Sequence, residues 1–172
     1  MFSNPASNIA KLGIIHGMKV VDVGTGSGFY AIESAKLVGP TGRVYAVDVQ
    51  REILDRIRAT GISQKLNNIE VVWGNAEKIG GTKIRENIAD RIIVSNILFQ
   101  VSKLDDFCLE IKRLTKTGGK ILVIDWSDIS PIGPKTVVSA DKARLLFEKH
   151  GFKLDQSFDV GDHHYGLIFI KT

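Results

Sequence analysis

Three glycines at alternate positions, Gly24, Gly26 and Gly28, directly follow a short run, Val20-Val21-Asp22-Val23, in which three of four residues are apolar. An amphipathic segment comes next, over about residues 28–38, before Gly39-Pro40. Apolar run, glycine turn and amphipathic segment read as strand, tight loop and helix. Few folds tolerate that sequence of events. Glycines without a Cβ let the backbone pass close to a ligand that other residues would block. The free N–H groups at the start of the following helix then face that ligand.

Two ligand patterns fit the turn. Gly26-Ser27-Gly28-Phe29-Tyr30-Ala31 matches the G-x-G-x-x-G/A of dinucleotide folds. Asp22, Gly24, Gly26 and Gly28 also spell D-x-G-x-G-x-G, with an acid two positions ahead of the glycines. A second acid suits both. Val44-Tyr45-Ala46-Val47-Asp48 is an apolar run ending in a carboxylate, twenty-four positions after Gly24. Such folds place an acid on the ribose hydroxyls at about this distance. The D-x-G-x-G-x-G segment resembles the first motif of the class I S-adenosylmethionine-dependent methyltransferases. Lys116-Thr117-Gly118-Gly119-Lys120 adds a resemblance to the compact ubiquinone/menaquinone-biosynthesis type.

The remaining elements follow from periodicity and punctuation. Asn4-Pro5 reads as the cap and first position of a helix reaching Leu12, within an N-terminal segment 1–13. Strands are expected at Arg43–Asp48, Ile69–Trp73, Asp90–Ser95 and Lys120–Asp125. Ile53, Leu54 and Ile57 mark a helix expected to stop at Gly61. Ser102 to Asp105 reads as a capping box ahead of the Leu104, Phe107, Cys108, Ile111, Leu114 face. Residues 139–150 read as a last helix. Alternating Phe152, Leu154, Phe158 and Val160, the Gly161-Asp162-His163 turn and Leu167–Ile170 then read as an antiparallel hairpin. Alternating strands and helices imply a parallel sheet covered on both faces. The resemblance implies a three-layer α/β/α Rossmann-like sandwich, seven-stranded, of order 3-2-1-4-5-7-6 with strand seven antiparallel. It covers nearly all 172 residues, expected to form one domain.

Ligands of open α/β sheets bind beyond the carboxyl ends of the strands, where the strand order reverses. The resemblance therefore implies a cofactor set of Asp22, Gly24, Thr25, Gly26, Gly28, Phe29, Asp48 and Val49. After strand three come Asn75, Ala76 and Glu77, where the family often has Gly-Asp-Ala; an amide carbonyl still accepts from the adenine amino group. After strand four, Ser95 and Asn96 fall beside the methionine part of S-adenosyl-L-methionine. Phe29, Tyr30 and Phe99 are aromatic faces for its sulfonium. Asn96, Asp125, His163 and His164 are the catalytic candidates, and Phe99, Trp126 and Tyr165 the candidate acceptor pocket.

Scattered lysines and arginines, at net charge +4, favour an ordinary solvated surface over a nucleic-acid face. One cysteine, no signal-peptide pattern and no membrane-length apolar run point to the cytoplasm. Adjacent His163 and His164 point to opposite sides, and no H-x₃-H or C-x₂-C spacing exists, so no metal is expected. The resulting expectation is methyl transfer to a small-molecule acceptor by a monomer or homodimer. The alternatives are a nicotinamide-dependent oxidoreductase, a non-catalytic cofactor-binding subunit, and an RNA or protein methyltransferase. The oxidoreductase reading lacks a Tyr-x-x-x-Lys pair.

Overall fold

The computed structural model describes residues 5–127, 132–161 and 163–172. Phe2, Asn4, Asp128, Pro131 and Asp162 lie outside the described residues. Strands β1 (Lys19–Val23), β2 (Arg43–Asp48), β3 (Ile69–Trp73), β4 (Ala89–Ser95), β5 (Thr115–Trp126), β6 (Phe152–Asp159) and β7 (His164–Lys171) form one sheet of order β3-β2-β1-β4-β5-β7-β6. Pairing is parallel from β3 to β5, and β7 is antiparallel to both β5 and β6. The expected topology is the observed one.

Strand side chains alternate between the two faces and so build two cores. Val20, Val44, Ile93 and Leu122 pack against α1 (Pro5–Lys11), α2 (Phe29–Val38) and α3 (Arg51–Ser63). Val21, Ile92, Val94, Ile121 and Val123 pack against α4 (Leu104–Leu114) and α5 (Ala140–Lys149). Because both faces are buried, these strands are near-continuous Val/Ile/Leu runs.

Three local expectations change. α3 runs through Gly61 to Ser63, and the chain reverses instead at Lys65, whose φ is +57, while the Leu66 amide donates to the Gly61 carbonyl at 2.8 Å. Gly118-Gly119 makes a bulge inside β5, not a turn before it. Ala89 and Arg91 of β4 face Thr115 and Lys120 of β5, so the extra residues are accommodated where Gly118 takes φ +76. Ser102 caps nothing: α4 has no side-chain cap of its own, and the Ser102 and Lys103 amides donate to Glu77 Oε2 at 2.9 and 3.2 Å. A carboxylate from another loop does the capping, which no local pattern announces.

Candidate functional site

A cavity of about 570 Å³ opens at the carboxyl ends of β1, β2 and β4, where the sheet order reverses. The glycine turn forms its floor. Gly24 and Thr25 donate their amides to the Val47 carbonyl at 2.9 and 3.0 Å, tying the turn to β2. All three glycines take positive φ, yet Gly26 is required for a different reason from Gly24 and Gly28. A Cβ on Gly24 would stand 2.3 Å from Ile97 Cδ1, and one on Gly28 would stand 2.6 Å from Ile57 Cγ1. Those two serve close packing of neighbouring elements. Around Gly26 the nearest atom to a Cβ would be the Gly24 carbonyl at 3.8 Å, so the space above it is left to a ligand.

Two carboxylates frame the turn. Asp48 accepts from the Gly26 amide at 3.3 Å and the Gln50 amide at 3.0 Å, and it faces the cavity. Both oxygens keep lone pairs for a pair of hydroxyl groups. Asp22 is buried and accepts from Thr25 Oγ1 at 2.6 Å. Burial pushes its carboxyl up to about 7, against the hydrogen bonds from Thr25 and the Ala31 amide, with the Asp48 charge adding to the rise. Asp22 thus braces the turn and the first turn of α2.

Beyond β3, Asn75 Oδ1 accepts from the Glu77 amide at 2.8 Å, and Gly74, Asn75, Ala76 and Glu77 form one wall. The Glu77 carboxylate is held by α4, as above. Beyond β4, Ser95 and Asn96 face the cavity. Asn96 sits at φ +55, a conformation that Asn tolerates better than most residues, and donates its amide to the Ile124 carbonyl at 2.8 Å.

Thirteen candidates therefore share one cavity: Asp22, Gly24, Thr25, Gly26, Phe29, Asp48, Val49, Asn75, Ala76, Glu77, Ser95, Asn96 and His164. Six do not line it. Gly28 is turned toward α3. Phe99 lies on the 3-10 turn Leu98–Gln100, where residues three apart share a face, so Ile97 and Gln100 line the cavity instead. Asp125 is fully buried and accepts from the amides of Ile97 (3.1 Å), Leu98 (2.8 Å) and Trp126 (2.8 Å). It fixes the turn after β4 from behind. Tyr165 follows His164 on β7 and so points to the opposite face, where its hydroxyl donates to the Val138 carbonyl at 2.8 Å. Trp126 backs the site, its ring 4.3 Å from that of His164. His163 leaves the cavity to its neighbour, with a buried Nδ1 that has no hydrogen-bond partner. Burial, reinforced by the charge of His163, holds His164 below the ordinary imidazole range, so its ring is neutral at neutral pH.

Sequence reasoning missed Pro5, Ile53, Ile97 and Gln100. None carries a motif; they reach the cavity through tertiary packing. Cys108 is buried in the α4 core, and burial pushes its thiol up to about 12, leaving it unreactive. Among the described residues no three His, Cys, Asp or Glu side chains cluster as a metal site, and no helix is long and apolar enough to cross a membrane.

A profile described as a methyltransferase domain matches residues 14–145. The chain belongs to this methyltransferase family. It is a class I S-adenosylmethionine-dependent methyltransferase, and S-adenosyl-L-methionine is its cofactor. Its relatives include the ubiquinone/menaquinone biosynthesis C-methyltransferase of Pseudomonas fluorescens (strain SBW25), 33% identical over 119 residues, and that of Haemophilus ducreyi, 30% identical. Each match covers 67% of this chain and 44% of the relative, so the chain spans less than half the length of these relatives. A structure of a SAM dependent methyltransferase from Aquifex aeolicus is 29% identical, with a TM-score of 0.88 over 99% of this chain and 91% of that one. The [4+2]-cyclase SpnF shares the fold at a TM-score of 0.85 over 97% of this chain and 79% of that one, at 14% identity.

The methyltransferase assignment decides between the two ligand patterns in favour of D-x-G-x-G-x-G. The cavity fits that cofactor. Space is kept above Gly26, and a two-oxygen acceptor, Asp48, is held in place by two amides.

Proposed function

We propose that this methyltransferase moves the methyl group of S-adenosyl-L-methionine to a small-molecule acceptor by in-line displacement. The observation that carries the reading is that one cavity holds both halves of the machinery. Asp48, the glycine turn and Asn75-Ala76 line it from the β1, β2 and β3 side of the sheet, and Asn96, Gln100 and His164 from the β4 and β7 side. When bound, the cofactor supplies an electrophilic methyl on a cationic sulfur. The protein's part is then alignment, which supplies about 7–11 kcal/mol when reacting groups are well placed. Asp48 holds the ribose hydroxyls. Asn75 and Ala76 meet the adenine, and Phe29 and Tyr30 present aromatic faces. The neutral His164 imidazole takes the acceptor proton where the nucleophile must lose one, and a tilted ring contact with Trp126 keeps the ring in place.

A small acceptor is supported by the cavity volume of about 570 Å³, within the span of small-molecule sites. It is supported also by relatives named for quinone biosynthesis and carbon methylation. Titration calorimetry with S-adenosylhomocysteine and NAD, followed by a labelled-methyl turnover screen over phenols, hydroquinones, RNA and protein, tests the reading. Asp48→Ala is expected to weaken S-adenosylhomocysteine by about 1.5–3 kcal/mol. His164→Ala is expected to lower kcat while leaving cofactor affinity unchanged. Labelling of RNA or protein alone would overturn the small-molecule acceptor. Micromolar NAD binding without S-adenosylhomocysteine binding would overturn the cofactor site.

A further inference from the structure

The wall that meets the adenine end of the cavity is one half of a loop that doubles back on itself. Its outgoing half is Gly74–Glu77, and its returning half is Gly80–Thr82. The two halves are pressed together. The Asn75 amide donates to the Gly81 carbonyl at 3.0 Å. A Cβ on Gly81 would stand 2.2 Å from the Asn75 carbonyl oxygen, and one on Gly74 would stand 2.9 Å from the Gly81 oxygen and Thr82 Cα. These contacts are backbone to backbone and cannot be relieved by a rotamer change. The position of Asn75 is therefore the position of Gly81.

The returning half is fixed in turn by a single carboxylate. Glu110, on α4, is fully buried. Its Oε2 accepts from the Gly80 amide at 2.7 Å, and its Oε1 from the Thr82 amide at 3.3 Å and from the Thr82 hydroxyl. Arg113 grips both oxygens from one turn along the helix, at 2.8 Å each. Every acceptor position on Glu110 is in use, so the carboxylate has one orientation. The helix behind it is equally fixed, with Phe107, Cys108, Ile111 and Leu114 fully buried. Glu77 ties the outgoing half of the same loop to the other end of that helix through the Ser102 and Lys103 amides.

We propose that Glu110 is a positioning residue for the cofactor: it sets the depth of the Asn75-Ala76 wall through Gly80–Thr82, without touching the ligand. The inference rests on the cofactor reading above. Glutamine in its place keeps the shape but turns an amide donor toward Arg113 or the Gly80 amide. The loop is then released, while the core face of α4 is untouched.

Calorimetry with S-adenosylhomocysteine on the full chain separates positioning from simple loss of folded protein. A positioning role raises Kd at one site per chain; a purely structural role lowers the number of sites at unchanged Kd. Glu110→Gln is expected to raise Kd about tenfold or more, and Thr82→Val, which removes the hydroxyl that donates to Glu110 and accepts from Arg113 and the Ile84 amide but leaves the carboxylate in place, about threefold. Thr115→Val serves as the control. It deletes a buried hydrogen bond at the end of the same helix, from Thr115 Oγ1 to the Ile111 carbonyl, and is expected to leave Kd unchanged. Kd within twofold of wild type in Glu110→Gln and Thr82→Val overturns the proposal, as does an equal rise in Thr115→Val. Where Glu110→Gln fails to fold, Thr82→Val decides alone. A wild-type protein that does not bind S-adenosylhomocysteine overturns the cofactor reading instead, so the two failures are distinct.

Discussion

Gly24→Ala tests the claim that this glycine is required by packing as well as by backbone conformation. Its φ of +65 lies in the left-handed region, where a Cβ costs about 1–2 kcal/mol. The added methyl would also stand 2.3 Å from Ile97 Cδ1, with Cγ1 at 3.2 Å and Cβ at 3.5 Å. Ile97 packs against the α4 core, so moving its Cδ1 aside disturbs that packing, and overpacking of this kind costs about 1–3 kcal/mol. The single variant should therefore lose about 2–5 kcal/mol. Ile97→Val removes the clashing Cδ1 at a cost of about 0.5–1.5 kcal/mol. In that background the nearest neighbours stand at 3.2 and 3.5 Å, so Gly24→Ala should keep its conformational cost and shed most of the steric one. The double-mutant cycle is expected to show about 1–3 kcal/mol of favourable coupling. Urea denaturation of all four proteins, followed by tryptophan fluorescence, reads this from the midpoints, provided the m values agree. Additivity within about 0.5 kcal/mol would refute the steric part and leave φ as the whole explanation.

Gly26→Ala should behave differently: about 1–2 kcal/mol of stability from φ +52, but a loss of S-adenosylhomocysteine binding at least tenfold, since its Cβ would enter ligand space. Calorimetry showing unchanged affinity would place the ligand elsewhere. Asp22, raised from 3.8 to about 7 in the folded protein, stabilises the fold fully below about pH 3.8 and loses that contribution as pH rises through about 7. The gap corresponds to about 4 kcal/mol. Asp22→Asn keeps an acceptor for Thr25, so between pH 4 and 8 its stability should fall less with pH than that of wild type. Parallel curves from chemical denaturation would rule out this carboxyl as the source. Turnover, once an acceptor is found, should be unchanged in EDTA; loss restored by one divalent ion would contradict that.

The sequence by itself determined the alternation of strands and helices, the glycine turn and the two acids that flank it; the order of the strands came through the family resemblance. Those features are written in short-range patterns: apolar runs, a spacing of two between glycines, and an acid closing each of two strands. What the tertiary structure alone decided are partnerships across long stretches of chain. Asp125, at the end of a strand like Asp48, looks equally available in sequence. It is instead consumed by amides 27 and 28 positions away. Ser102 has the local pattern of a cap, but Glu77 caps α4 from 25 positions away. His163 and His164 are indistinguishable as neighbours, and only the pairing of β7 against β5, with His164 opposite Trp126, turns one imidazole into the cavity. Glu110 carries no motif at all. A carboxylate declares its role by the donors the fold brings to it, and those donors come from elements that local periodicity does not relate.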